Sequence, residues 1–468
     1  MQIPRLMITG THSGVGKTTI ATAVMAALAK RGYRVQPYKV GPDYIDPGYH
    51  NVATGHVSRN LDTWMLGRDT VRKLFARSAA GSDIAVIEGV MGLFDGASGT
   101  GDTGSSAEVA KILDCPVVLV VDVKSMARSA AAVALGFQKM DPQVKIAGII
   151  LNRIGSDRHL SLVREAIEAY CDIPVIGYIR KQADLSLPSR HLGLVPTAEG
   201  GELFDRIGAL ADNISEGINF DLLVALAQNA GALEPPGQMA VACAGAAAAG
   251  RVAIARDEAF SFYYQDGLEL LASHGIELIP FSPLHDKNLP PDIDGIYIGG
   301  GFPEVFARQL AENRAIKNEI KRCGQNNMPV YAECGGLMYL TEAIRDFDGH
   351  EYQMVGLVPA KCVMEKKLVG MGYVTVEHLS DNLLGPRGFT CRGHEFHYSR
   401  LAPTVDDFSW ACKLTRNKTG ETVYDGYADK NILAGYVHLH FAADQATARN
   451  FAARCLAYRE KKSREKVD

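Results

Sequence analysis

The chain opens a pattern it then repeats: short, unbroken apolar runs alternating with stretches of helical periodicity. Leu6–Gly10 is the first run and ends in a glycine-rich turn. Lys17–Arg31 follows with apolar positions three and four residues apart and a stop signal at Gly32. Arg34–Val40, Asp83–Glu88, Pro116–Asp122 and Lys145–Asn152 read as further strands with helical stretches between them. Strands that are apolar on both faces and alternate with helices predict a parallel sheet covered on both sides.

The alternation breaks at Glu234–Gly250, where Pro-Pro-Gly leads into small residues and predicts a linker. It then resumes. Arg251–Ala255 and Gly295–Ile298 read as strands and Phe306–Cys323 as a helix, while Pro329–Ala332 is a strand running into Glu-Cys-Gly-Gly. The predicted organisation is one α/β domain over residues 1–235, a linker over 236–249 and a second α/β domain over 250–455. The highly charged Arg459–Asp468 is expected to fray.

Composition supports this division. A chain of 468 residues is too long for one ordinary core. Its 47% hydrophobic and 22% charged content is that of a globular protein, and a net charge of -4 offers no basic surface to nucleic acid or an anionic membrane. Apolar runs such as Pro116–Val121 are strand-sized, which excludes a membrane span. The start, MQIPRLMITG, reads as a strand rather than a secretory signal. Nine cysteines without a CxxC pair argue against a zinc ribbon or disulfide framework and predict a reducing cytoplasm.

Two places carry chemistry. Gly10-Thr-His-Ser-Gly-Val-Gly-Lys-Thr-Thr19 lies between the first strand and the first helix, where a phosphate cradle belongs. Gly14, Val15, Gly16, Lys17, Thr18 and Thr19 are the candidate ATP contacts, with Lys17 reaching the β/γ-phosphates and the Thr18 hydroxyl ligating Mg²⁺. The first glycine stands one residue earlier than the strict Walker spacing. Glu88, at the end of a neighbouring strand, faces the same crevice as a candidate Mg²⁺ ligand and opens a Gly-Val-Met-Gly-Leu-Phe-Asp95 segment. Asp43 and Asp62, after the second strand, could reach that crevice, and Asn152 could read the adenine edge.

The second place is Tyr331-Ala-Glu-Cys334-Gly-Gly336, a strand, a sharp turn and a helix-like run. Such an elbow presents one side chain at the top of a sheet and at a helix N-terminus, where a thiolate is favoured. Gly335 and Gly336 relieve crowding in the turn, and the Gly299–Gly301 run offers backbone N–H groups to an oxyanion. A base could come from Gly435-Tyr-Val-His438-Leu-His440, where strand alternation puts both histidines on one face.

Five segments in order resemble those of the cobyrinate a,c-diamide synthases: Lys39-Val-Gly-Pro-Asp-Tyr-Ile-Asp-Pro, Glu88-Gly-Val-Met-Gly-Leu-Phe-Asp-Gly, Ile298-Gly-Gly-Gly-Phe-Pro-Glu, Ala332-Glu-Cys-Gly-Gly-Leu-Met-Tyr-Leu and Gly393-His-Glu-Phe-His-Tyr-Ser. The resemblance spans Gly10 to about Arg454. It implies a doubly wound P-loop ATPase domain followed by a flavodoxin-like class I glutamine amidotransferase domain. It further implies that Cys334 releases ammonia from L-glutamine, that ATP phosphorylates a carboxylate, and that ammonia displaces the phosphate to leave an amide. The substrate implied is a tetrapyrrole amidated on its a and c acetates. The roles implied are His438 as base, Asp43 and Asp95 as catalytic acids of the ligase half, and Gly300, Gly301 and Gly335 as the oxyanion site. Asp46, His394, His397 and Tyr398 are the implied tetrapyrrole contacts, and Thr18, Glu88 and Asp62 the implied Mg²⁺ ligands.

Two departures stand out. Triad glutaminases generally carry His-x-Glu, and here the third position is His440, so the orienting carboxylate is absent or comes from elsewhere. Ala332 also stands where many relatives have glycine. Three alternatives are weighed: the same chemistry on sirohaem or Ni-sirohydrochlorin, a partitioning or metallochaperone ATPase without glutaminase activity, and a cobyric acid synthase. The cysteine elbow disfavours the second and the Gly-Pro-Asp-Tyr-Ile-Asp-Pro segment the third. A homodimer is left open.

Overall fold

A computed structural model describes residues 2–181, 200–234 and 249–465. They form two compact units, Met1–Met239 and Ala240–Asp468. Apart from Ala249, the expected linker lies outside the described residues.

The first unit holds seven strands: β1 (Arg5–Gly10), β2 (Val35–Val40), β3 (Arg59–Leu61), β4 (Ile84–Glu88), β5 (Val117–Asp122), β6 (Ile146–Ile154) and β7 (Val175–Arg180). They run parallel in the order β3-β2-β4-β1-β5-β6-β7. Ile8 of β1 lies opposite Glu88 of β4, and Gly10 of β1 opposite Val120 of β5. The chain builds one side of the sheet from β1 and then crosses to build the other, so the winding reverses there. The carboxyl ends of strands at such a reversal form the crevice where an α/β sheet receives its ligand. Leu6 and Ile8 pack with Ile20, Val24 and Leu28 of the helix Lys17–Lys30 and with Leu210 and Ile214 of the helix Gly200–Ser215. That burial fixes where the helix begins, and with it the loop Thr11–Gly16.

The second unit holds β8 (Gly250–Ala255), β9 (Phe260–Phe262), β10 (Ile276–Phe281), β11 (Gly295–Ile298), β12 (Gly300–Gly301), β13 (Val330–Glu333), β14 (Thr341–Arg345), β15 (Glu351–Gln353), β16 (Val358–Met364), β17 (Gly370–His378), β18 (Thr390–His397), β19 (Ser399–Pro403), β20 (Trp410–Arg416), β21 (Thr422–Asp429), β22 (Ile432–Gly435) and β23 (His438–Leu439). Its main sheet has the order β10-β8-β11-β13-β22-β21-β20-β17-β18-β23. The half from β10 to β22 is parallel and the other half antiparallel. Two small sheets, β12-β9 and β15-β14-β16-β19, complete the unit.

Two expectations are corrected. Phe306–Cys323 is not one helix but two, Ala307–Glu312 and Arg314–Gln325. Asn313 divides them, its side-chain amide donating to the carbonyls of Pro283 and Asp286 at 2.9 and 2.8 Å and holding the backbone out of helical geometry. The charged terminus does not fray from Arg459 either: the helix Gln445–Glu465 continues through it. Lys462 donates to the Ile293 carbonyl at 3.3 Å, and Arg459 lies 3.8 Å from the Asp294 carboxylate. These contacts give the last turns a partner that charge alone did not predict. Among the described residues no helix is long and apolar enough to cross a membrane.

Candidate active sites

The phosphate-binding loop wraps the end of β1. Gly16 has φ +98°, a backbone conformation that favours glycine, and a methyl group there would sit 2.6 Å from the Asn152 amide nitrogen. Asn152 uses that nitrogen to donate to the Val15 carbonyl at 2.8 Å, and its oxygen accepts from the Arg153 N–H at 2.8 Å. The amide nitrogen therefore braces the loop from β6, while the oxygen bonds within β6 itself. Lys17 is buried and its ammonium donates to the His12 carbonyl at 2.9 Å, folded back over the loop. Burial first, and then the neighbouring Lys39, pulls Lys17 down to about 8.

The carboxylates sort themselves by what they touch. Thr18 donates to Glu88 at 2.7 Å and to Asp46 at 3.3 Å. Lys39, buried at the end of β2, bridges the same two acids at 2.8 and 2.7 Å. The other Glu88 oxygen meets the His50 Nε2 at 2.7 Å, and Ser58 holds the far nitrogen of that ring at 3.0 Å. Burial raises the Glu88 acid, but Lys39 and His50 outweigh it and hold the group below the ordinary carboxylate range. Burial and the adjacent Glu88 push Asp46 up to about 6 against the pull of Lys39. Asp46, expected as a tetrapyrrole contact, thus stands beside Thr18 and Lys39.

The other acids shape loops. Asp43 accepts from the N–H groups of Ile45 and Asp46 at 2.7 and 3.1 Å, and Asp95 accepts from Gly92 at 2.9 Å. Asp95 remains close enough to raise the Lys17 pKa. Asp62 accepts from the Met65 N–H at 2.8 Å and caps the helix Thr63–Leu66. Lys39 and His50 were not singled out from sequence. The available signal was a lysine inside an apolar strand, since a buried cation requires an acid nearby.

In the second unit, Cys334 sits between β13 and the helix Gly335–Leu340 with φ 48° and ψ -105°. A non-glycine residue in that region is the backbone signature of a nucleophile elbow. Its N–H donates to the Gly435 carbonyl at 2.7 Å, which fixes the turn to β22. Burial, with Glu304 adding to it, raises the Cys334 thiol well above its ordinary value, so a base must take its proton during reaction. Gly300 lies beside His438: a methyl on Gly300 would fall 2.5 Å from the His438 ring carbon Cε1. A methyl on Gly335 would fall 3.0 Å from the Gly301 nitrogen, so the glycine run and the elbow touch.

The two histidines part company. The strand β23 ends at Leu439, so alternation does not extend to His440. His440 stacks on Tyr264 with ring centroids 4.6 Å apart, whereas His438 lies in register with His394 of β18 and 3.9 Å from the Glu333 carboxylate. Burial, then His394 and His397, lowers His438 to about 3, so its resting ring is a neutral acceptor.

The Gly393–Ser399 segment forms a wall of this pocket. The Phe396 carbonyl is 4.0 Å from the Cys334 sulfur. His397 is turned inward: it stacks on Tyr436 at 3.9 Å and its Nδ1 bonds to the Ser399 carbonyl at 2.7 Å. Phe396 and Tyr398 both present exposed rings, 38% and 37% accessible.

The comparisons with known proteins agree with this division. A family model described as a CobQ/CobB/MinD/ParA nucleotide binding domain matches residues 6–195. One described as a CobB/CobQ-like glutamine amidotransferase domain matches residues 251–446. The cobyrinate a,c-diamide synthase of Dehalococcoides mccartyi strain CBDB1 is 47% identical over 455 residues, covering 96% of this chain and 98% of the relative. That of Caldanaerobacter subterraneus subsp. tengcongensis is 45% identical over 467 residues, covering 97% and 99%. That of Priestia megaterium is 44% identical over 464 residues, covering 98% of each.

Proposed function

The chain belongs to the cobyrinate a,c-diamide synthase family of glutamine-dependent ligases, and we propose that it amidates the a and c acetates of cobyrinate through acyl phosphates. The observation that carries the reading is the joint presence of a braced phosphate loop ending in Lys17 and Thr18 and a strained Cys334 elbow touching the glycine run that meets His438. ATP transfers its γ-phosphoryl group to a substrate carboxylate, which turns a poor electrophile into a mixed anhydride. Ammonia attacks that carbonyl carbon, phosphate leaves and an amide remains. Lys17 balances charge on the transferring phosphoryl group.

The donors around Thr18 fit Mg²⁺. The Glu88 and Asp46 carboxylates each lie within hydrogen-bonding distance of the Thr18 hydroxyl, and all three are hard oxygen donors of the kind this ion prefers. Bound there, Mg²⁺ would neutralise phosphate oxygens. Lys39 favours the ionised form of Glu88 and positions both acids.

At the other site His438 takes the Cys334 proton and the sulfur attacks the glutamine side-chain amide. The N–H groups of Gly300, Gly301 and Gly335 serve as donors to the resulting oxyanion, with Gly301 lying against Gly335 of the elbow. His438→Asn should slow glutamine hydrolysis by roughly 10²–10⁴-fold, the usual worth of a positioned base. His440→Asn removes a ring stacked on Tyr264 and should chiefly lower the melting temperature. Steady-state glutaminase rates and a thermal melt separate the two, and the opposite ranking reassigns the base.

The substrate is tested by mass spectrometry on enzyme given ATP, Mg²⁺ and glutamine with cobyrinic acid, sirohaem or Ni-sirohydrochlorin. Each carboxylate turned to amide lowers the mass by a single nominal unit. Two successive losses on cobyrinic acid are expected, and losses confined to either of the other two tetrapyrroles overturn the assignment.

A further inference from the structure

The glutaminase site lacks the acid that ordinarily follows its histidine, yet a carboxylate stands behind His438 all the same. Glu333, the last residue of β13, comes immediately before the nucleophile. Its Oε2 lies 3.9 Å from the His438 Nδ1, and both side chains are almost fully buried, at 2% and 3% exposure. The carboxylate is anchored on three sides. Tyr331 donates to Oε1 at 2.6 Å, the backbone N–H of Leu439 donates to the same oxygen at 3.1 Å, and Tyr297 donates to Oε2 at 3.3 Å. The Leu439 bond is informative, because it ties the acid to the residue next to the histidine and so fixes the distance between the two side chains.

We propose that Glu333 is the positioning carboxylate of the glutaminase, orienting His438 from the elbow strand in place of the acid missing after Leu439. His440, at the vacated position, is turned away against Tyr264. The separation of 3.9 Å is longer than a hydrogen bond, as catalytic contacts often are before substrate arrives. A buried acid without charged company is costly unless it is hydrogen-bonded, and this one is held by two tyrosines inside an aromatic cluster with Phe441.

The proton accounting follows. The Cys334 S–H proton passes to His438 Nε2 as the S–C bond to the glutamine amide carbon forms. The C–N bond then breaks, and the same proton goes to the leaving nitrogen, giving ammonia and a thioester that water hydrolyses. Glu333 gains no proton. It accepts from Nδ1–H, which selects the tautomer with Nε2 free, and it balances the imidazolium while that exists. Burial pushes the Glu333 acid up to about 7, and the hydrogen bonds from Tyr331, Leu439 and Tyr297 pull against that rise.

The proposal rests on His438 as base, and the experiment separates the two. In the full-length enzyme, Glu333→Gln keeps the volume and should lower kcat for glutamine hydrolysis by roughly 10²–10⁴-fold with KM within about twofold. Amidation driven by ammonium salts should stay within about twofold. Glu333→Asp, which keeps the charge but is shorter, should be the faster of the two variants. A structural role predicts the reverse, since the shorter side chain leaves a cavity and the amide does not. Wild-type kcat in Glu333→Gln, or Glu333→Gln faster than Glu333→Asp, overturns the proposal. Equal loss with glutamine and ammonia overturns it as well. Normal turnover in His438→Asn instead overturns the choice of base on which it stands.

Discussion

Cys334→Ala is expected to remove glutamine-driven amidation, by at least about 10⁴-fold, while ammonium salts still support product formation. The elbow exists to present that one sulfur. Cys334 holds a positive-φ backbone conformation, its N–H is locked to Gly435, and the glycine run touches the elbow at Gly335 and His438 at Gly300. Alanine tolerates the same backbone about as well as cysteine, so the fold should survive and the nucleophile alone be lost. The assay is amide formation with either nitrogen source, with circular dichroism to confirm folding. If ammonia fails as completely as glutamine in a folded variant, the separation of nitrogen release from carboxylate activation is wrong.

Lys17→Ala is expected to lower both reactions together, by roughly 10²–10³-fold, since each needs the activated carboxylate. The lysine also leaves a signature in wild-type protein. Without nucleotide, burial and Lys39 hold it near 8. Phosphate anions must raise it again, because they favour the charged form. ATP binding should therefore take up a proton as pH rises through about 8, and affinity should fall in the same range. Calorimetry in buffers of different protonation heat measures the uptake, which should vanish in Lys17→Ala. Uptake that persists in the variant would assign the proton to another group.

The strongest sequence signals were the local ones. A glycine-rich turn between an apolar run and a helical period has few uses, and the structure puts Lys17 and Thr18 beside Glu88 as that spacing implied. The cysteine elbow was legible for the same reason: its geometry is made by adjacent residues. The antiparallel half of the second sheet was harder to read. A strand such as β17 alternates buried and exposed positions, and its partners come from β18 and β20, which are distant from most of the chain that forms the parallel half. The split at Asn313 depended on carbonyls in the loop that holds Pro283 and Asp286, about which helical periodicity carries no information.

By itself, then, the sequence determined the order of elements and two local motifs, the glycine-rich loop before Lys17 and the elbow at Cys334. Each of these depends on residues next to one another, where backbone sterics and spacing decide the outcome. Only the tertiary structure decided which partners those residues have. Lys39 and His50 gather on Glu88 because β2 and the helix Asp46–Thr54 are brought against β4, and His438 meets Glu333 because β23 returns to the end of β13. Buried polar groups must be paired wherever the fold places them, and the identity of the partner is a property of strand order, not of sequence distance.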